Sequence, residues 1–372
     1  MKIVYLSSST VPSRAANSIH VMKMCQAFAK AGHNVILMTR DKRTEREPGV
    51  LDEHAFYDVN PCFSIVRKRW LPLKGRRFLY GFLSAWHAKR LKPDLVYARN
   101  LDGCFFSSLF CLPIMFESHA PIKGRLSEWF FSRIISRVTF QKLVVISNAL
   151  KMYYESKYPT LKSKIQVAPD AADPVDEKVV PVTLPGKTTR LQVGYIGHLY
   201  SGRGIEMIEQ LAAAASLWAD FHVIGGSPRD IAECQRRTML LKNIYWHGFK
   251  VFAEAERLRV ACDILLAPYA DKVRVSGGAG DTSLWMSPLK VFEYMAAGKA
   301  IICSDISVLR EVLKDKRNAL LCPASDFRAW LNSLERLRDD SVLRTQLGEN
   351  AKSDFIAHYT WEARAAKVLT NI

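Results

Sequence analysis

Twice along this chain a short apolar, β-branched run leads through a polar loop into a helical pattern and on to another apolar run. The first series opens at Lys2–Leu6, passes a Ser/Thr/Pro loop and the stretch IHVMKMCQAFAKAG, whose Gly32 reads as a helix C-cap, and resumes as the strand HNVILMT. Further strand candidates follow at Asp94–Tyr97, Pro113–Phe116, Leu143–Ile146 and Ile165–Val167. The second series has candidates at 191–197, 221–226, 244–249, 263–268, 299–304 and 318–323, with helical patterns between them. Strands joined by helical crossovers form parallel sheets covered on both faces, which is why each apolar run is nearly continuous rather than alternating. Between the two series, residues 168–189 carry Pro169, Pro174, Pro181 and Pro185 and no helical period, the pattern of a linker. The expectation is an α/β chain of two doubly wound Rossmann-like domains facing across a cleft: 1–172, a linker at 173–189, and 190–350, with a helical segment at 351–372. A length of 372 residues fits two such domains.

Composition narrows the class. With 49% hydrophobic and 24% charged residues the chain is neither disordered nor fibrous. No apolar run reaches 18 residues; the nearest, Gly103–Phe116, is interrupted by two serines and a proline. The opening MKIVYLSSST has too short an apolar stretch for a signal peptide. Eight cysteines are scattered without a CxxC or a nearby histidine pair, which argues against zinc and disulfides and for a reducing cytosol.

The charge is lopsided. Residues 1–172 hold 27 lysines and arginines against 12 acidic residues, a net of +15, whereas 173–372 are close to neutral. Residues 59–93 contain nine basic residues and no acidic one, interleaved with Trp70, Phe78, Tyr80, Phe82 and Trp86. Residues 125–142 place Arg133 and Arg137 one helical turn apart beside Trp129, Phe130 and Phe140. Such a surface suits an anionic membrane. A solvated basic face with its aromatics turned inward, or nucleic acid, would read similarly; with no named nucleic-acid motif present, the expected partner is a membrane surface and not nucleic acid.

Three motifs carry chemistry. In SPLKVFEYMAAGKAIICSD (287–305), Pro288 opens a helix, Glu293 sits inside it and Gly298 ends it. The helix N-terminus formed by Ser287, Pro288 and Leu289 offers unpaired N–H groups, none of them from the proline, that suit a diphosphate, and a carboxylate further along suits two ribose hydroxyls. A Gly-rich loop, 276–286, precedes it. In GYIGHLYSGRGIEMI (194–208), Arg203 and Gly204 lead into a helix, where an arginine fork fits phosphate oxygens. In FESHAP (116–121), His119 closes an apolar strand at the edge where parallel sheets bind ligands.

These segments, with PSRAANSIHVMKMCQAFAKAGHNV, VISNAL (145–150) and VAPDAAD, resemble family 4 retaining glycosyltransferases (glycosyl transferases group 1) of the glycosyltransferase-B fold over nearly the whole chain. The resemblance implies that the C-terminal helix packs back on the first domain. It also implies a nucleoside-diphosphate sugar donor, UDP- or GDP-linked, with no metal and no other cofactor. Glu293 would bind the ribose, Arg203 the diphosphate with His198 and Lys290, and Gly248, Phe249 and Lys250 the base. His119 falls where the family places a histidine beside donor sugar and acceptor, and Asn17, on the loop 13–18, where the first glycine-rich loop meets the sugar. His119, Arg203 and Lys290 are thus the expected catalytic residues. The acceptor would be a lipid-linked or other oligosaccharide of polysaccharide or lipopolysaccharide synthesis, met by a cytoplasmic enzyme peripheral on the inner membrane face. A sugar-nucleotide epimerase of the same fold and a non-catalytic nucleotide-sugar-binding subunit are the alternatives. Two departures stand out: Trp285 replaces the second acidic residue eight positions before Glu293, leaving Asp281, Thr282 or the main chain at Met286 and Ser287 to take its place. His198 stands where the family often has arginine.

Overall fold

The structure is a computed structural model that describes residues 1–273 and 281–372. The chain forms two compact units, Met1–Asp170 with Trp361–Ile372, and Ala171–Thr360.

The first unit is built on seven parallel strands: β1 (Lys2–Thr10), β2 (Asn34–Asp41), β3 (Ser64–Arg69), β4 (Leu95–Ala98), β5 (Ile114–Ser118), β6 (Phe140–Val145) and β7 (Ile165–Val167). Their order, β3-β2-β1-β4-β5-β6-β7, reverses direction at β1, so the loops after β1 and β4 diverge there. Its helices are α1 (Ala16–Lys30), α2 (Glu53–Phe56), α3 (Arg76–Leu91), α4 (Leu101–Leu109), α5 (Arg125–Ile135) and α6 (Asn148–Lys157). One strand went unread in the sequence. β3 is the SIVRKR run inside the basic segment, paired with β2 at the sheet edge, where charged side chains reach water and guard the open edge. Arg137 lies past the end of α5 rather than one helical turn from Arg133.

The second unit carries β8 (Leu191–Ile196), β9 (Ala219–Ile224), β10 (Ile244–Gly248), β11 (Ile264–Ala267), β12 (Ala300–Ser304) and β13 (Leu320–Cys322), parallel in the order β10-β9-β8-β11-β12-β13. Its helices are α7 (Ile205–Ala214), α8 (Pro228–Arg237), α9 (Phe252–Ala261), α10 (Leu289–Ala296), α11 (Phe327–Asp339) and α12 (Ser341–His358). Trp330 of α11 is wholly buried in the core cluster that also holds Val193 of β8, Phe221 of β9 and Ile302 of β12. Burial on that scale is worth several kcal/mol for such a ring.

Two expected boundaries move. Residues 173–189 are not a free linker: Val182 and Leu184 pack on Ile224, Ala255 and Leu258, Arg257 Nε donates to the Val180 carbonyl, and the Lys187 amide donates to buried Asp220. Prolines hold this strap extended without leaving amide donors unpaired. Nor does 351–372 form a single helix. α12 stays with the second unit, Phe292 against Tyr359 and Lys352 beside Gly298. The helix ends at Tyr359, and Thr360 bridges to Ala172. Only α13 (Trp361–Leu369) belongs to the first unit, where Trp361, Arg364, Ala365 and Val368 form one buried stripe, next to α1.

Gly204, at φ 76°, caps α7 so closely under the β11 loop that a Cβ would overlap the Pro268 carbonyl. Gly49 has the same φ of 76° but open space around it. We expect Gly204→Ala to lower unfolding free energy by more than about 2 kcal/mol in urea melts. Gly49→Ala, which adds backbone strain alone, should cost only about 1 kcal/mol.

Candidate functional site

In the second unit the strand order reverses at β8, and the loops after β8 and β11 meet there: the Ala270 amide donates to the Gly202 carbonyl. Tyr195 at the end of β8, Tyr269 after β11 and Tyr200 surround two cations. The Lys290 ammonium sits 3.9 Å over the Tyr195 ring and 5.1 Å from the Tyr269 ring centre. The Arg203 guanidinium lies over Tyr200 and Tyr269 and donates to the Tyr200 hydroxyl at 3.2 Å. Lys290 Nζ, Arg203 Nε and the Tyr269 hydroxyl are buried with no hydrogen-bond partner among the described residues. Three orphaned polar atoms in one spot would each cost free energy unless a ligand meets them. Gly197, at φ 155°, lets backbone approach: a Cβ there would press on Lys290 Nζ. Burial holds the Lys290 amine well below its ordinary value, and the neighbouring Arg203 charge pushes the same way.

α10 starts at Pro288, whose side chain offers no cap, with Ser287 and Leu289 half-buried beside it. Glu293 lies one turn in, its Oε2 3.7 Å from the Arg259 guanidinium, which also donates to the Glu293 carbonyl at 3.3 Å. Arg259 is buried on α9 and was missed in the sequence; its one signal is an arginine directly after buried Leu258. Of the residues expected beside the base, Gly248 ends β10 and Phe249 and Lys250 follow it. Gly248 has φ 68° and accepts from the Gly225 amide, Phe249 is exposed, and Lys250 pairs with Glu254 at 3.6 Å. His198 is exposed and stacks on Tyr200, with ring centres 5.1 Å apart. Of the candidate replacements at Trp285, Asp281 caps the amides of Val273 and Ser283, and Thr282 donates to the Val273 carbonyl. Positions 276–280 of the Gly-rich loop lie outside the described residues.

In the first unit, His119 follows β5 and its ring remains partly open to solvent. Its Nε2 meets Glu117 Oε1. Glu117 is wholly buried; it accepts from the Tyr97 hydroxyl, and its Oε1 lies 2.9 Å from Arg364 Nη2 and 3.0 Å from His20 Nε2. His20 Nδ1 in turn meets Asp170 Oδ1 at 2.8 Å. Burial acts to raise the Glu117 carboxyl, yet Arg364, His20 and His119 hold it well below the usual range. Burial first, then Arg99, lower His119 to about 4. His20, Glu117, His119 and Asp170 bring ligand atoms within 4.8 Å of one another, an arrangement able to surround a cation. The Arg364 guanidinium already provides the positive charge on Glu117. Asn17 is exposed in the first turn of α1, and its carbonyl accepts from Arg99 at 3.5 Å. The loop before α1 is ordered by Ser18, which donates to the Ser13 and Ala15 carbonyls, not by a side-chain cap.

The basic segments pack together through α4. Phe82, Leu83 and Trp86 on α3 and Leu126 and Trp129 on α5 are exposed. Arg90 lies over Trp86, Lys89 over Phe110 and Arg133 over Trp129. Tyr80 and Phe140 instead belong to the core, and Trp70 lies between Arg40 and Arg76. Among the described residues no helix is long and apolar enough to cross a membrane.

The unfolded chain protonates Lys290 up to about its ordinary value of 10.5, while the folded site resists the proton, so this residue's contribution to stability grows as pH rises through the window below 10.5. Lys290→Met should therefore stabilise the unliganded protein by more than about 1 kcal/mol near pH 7. In melts run toward pH 10 the gap should close.

Comparison with known proteins fits this architecture. A glycosyltransferase family 4 profile matches residues 18–175, and a glycosyl transferases group 1 profile matches residues 190–340. An uncharacterized glycosyltransferase of Methanocaldococcus jannaschii is 23% identical over 256 residues, 64% of this chain; the match spans 60% of that relative's length. Anabaena HepE, solved with UDP-glucose, superposes over 100% of both chains with a TM-score of 0.73 at 14% identity. The lipopolysaccharide outer core galactosyltransferase WaaB does so over 100% of both chains with a TM-score of 0.68 at 15% identity. With two parallel doubly wound sheets and both halves matched, the chain belongs to glycosyltransferase family 4 and has the glycosyltransferase-B fold.

Proposed function

We propose that this glycosyltransferase moves a sugar, with retention and without a metal, from a UDP- or GDP-sugar to a lipid-linked saccharide of polysaccharide or lipopolysaccharide synthesis. The observation that carries the donor half is the orphaned trio of Lys290, Arg203 and Tyr269 at the switch point of the second sheet. A diphosphate fits it by charge and by the N-terminus of α10 beside it. As the bond from anomeric carbon to diphosphate oxygen breaks, the leaving group gains charge. Arg203 and Lys290, whose amine holds a proton from water more readily beside an anion, oppose that charge; donors so placed are worth about 3–4 kcal/mol each. The acceptor hydroxyl oxygen bonds the anomeric carbon, and its proton leaves with the diphosphate. Glu293, steadied by Arg259, accepts from the ribose hydroxyls. The complex of Anabaena HepE with UDP-glucose supports a nucleotide sugar as donor, and the lipopolysaccharide outer core galactosyltransferase WaaB supports a saccharide acceptor.

A nucleoside diphosphate at about 100 times its Kd adds roughly 2.7 kcal/mol of stability. Thermal-shift titration with UDP, GDP, ADP and TDP should raise the melting temperature for one of them, and Glu293→Ala should abolish that rise. No rise with any nucleotide in the unaltered protein would overturn the donor reading. Turnover of the sugar nucleotide with no acceptor present would favour an epimerase instead, and binding without turnover a non-catalytic subunit.

For the acceptor half, exposed Trp86 of α3 and Trp129 of α5, each with an arginine over its ring, support an anionic membrane surface. Each basic residue near such a surface contributes about 1 kcal/mol. Reversal of Arg76, Lys89, Arg90, Arg133 and Arg137 to glutamate should abolish flotation with phosphatidylglycerol vesicles; unchanged flotation would refute the membrane role.

A further inference from the structure

Glu117 is an odd residue for its place. It sits in the buried strand β5, among Met115, Phe116 and Ser118, where a carboxylate is costly unless ionic and polar partners meet it. Those partners come from three elements distant in sequence. Tyr97 of β4 donates to one oxygen, while Arg364 of α13, His20 of α1 and His119 converge on the other. Arg364 is itself tied down, its Nε to the Pro169 carbonyl at 2.8 Å and its Nη2 to the Ala168 carbonyl at 3.1 Å. A pair that served only to stabilise the sheet would need Arg364 and Tyr97 alone.

The contact with His119 has a chemical consequence. An ionised carboxylate only accepts hydrogen bonds, so the His119 nitrogen facing it, Nε2, carries the proton. Burial and Arg99 keep the ring from taking a second proton. Nδ1 is then a bare lone pair, and it has no hydrogen-bond partner among the described residues of the first unit. A ring free to flip or to change tautomer would as often point a donor outward.

We propose that Glu117, clamped by Arg364 of α13, is a positioning residue that locks His119 as its Nε2–H tautomer, so that Nδ1 accepts a hydrogen bond from a hydroxyl of a saccharide acceptor bound at the sheet edge of the first unit. The sugar rests on the glycosyltransferase reading above; the tautomer does not. The lock explains why a helix at the far end of the sequence returns a buried arginine to β5, and it makes those last residues part of the site.

The test uses the full chain labelled with 15N-histidine, with His119 assigned by the loss of its signals in His119→Gln. Near neutral pH the ring of the unaltered protein should show one protonated nitrogen, Nε2. Glu117→Leu with Arg364→Met replaces the buried pair by apolar side chains, an exchange that commonly preserves folding. In that double variant His119 should populate both tautomers. With the donor identified by thermal shift, its kcat should fall by roughly 100-fold, the cost of a misplaced reacting group, at unchanged donor KM. Glu117→Gln, which keeps an accepting oxygen, should restore both the tautomer and most of the rate. An Nδ1–H or doubly protonated His119 in the unaltered protein would overturn the proposal, as would a double variant with unaltered tautomer or unaltered kcat. Failure of every nucleotide to bind would count against the donor reading alone, because the nitrogen shifts decide the tautomer without any ligand.

Discussion

A parallel strand can be followed only by a crossover, and everything functional in this protein descends from that constraint. Each crossover leaves its strand at the same edge of the sheet, so loops from distant parts of the sequence gather there. Where the strand order reverses, neighbouring loops diverge and leave a crevice. In the second unit that place is β8, and it holds Lys290, Arg203 and the tyrosines. In the first it is β1, one strand from β4 and two from β5, which His119 follows.

The two units handle buried charge in opposite ways. The first pairs it: Arg364 meets Glu117 at 2.9 Å, and His20 lies between Glu117 and Asp170. The second leaves it open: Lys290 is held beside Arg203 over aromatic faces, with only ring electrons for company. Cation–π contact repays part of the lost hydration but not all of it. An anion that brings two negative charges into this spot relieves both desolvation and mutual repulsion, which converts stored cost into affinity.

The basic face on α3 and α5 follows another rule. Long cationic side chains cover aromatic rings while their charged ends stay wet, so Trp86 and Trp129 can remain exposed without making a large bare apolar patch. Of the 27 lysines and arginines in residues 1–172, some pair within the unit, as Arg67 with Glu53 and Arg77 with Asp102, and others are displayed on this face.

Local pattern alone determined the two βα series, α10 between Pro288 and Gly298, and the approach of Arg203–Gly204 to α7, because strand continuity, proline, glycine and helix periodicity act over a few residues. β3 escaped that reading because an edge strand need not be apolar, and the tail of the chain was misjudged because the break at Tyr359–Thr360 depends on a bridge to Ala172. Only tertiary structure decided that Arg259 steadies Glu293, that Lys290 lies orphaned among tyrosines, and that Arg364 reaches Glu117 across 247 positions. The composition of a segment carries its propensity to be helix or strand. A side chain's charge state and partner come from which distant segments the sheet order brings to its edge, and no local pattern encodes that.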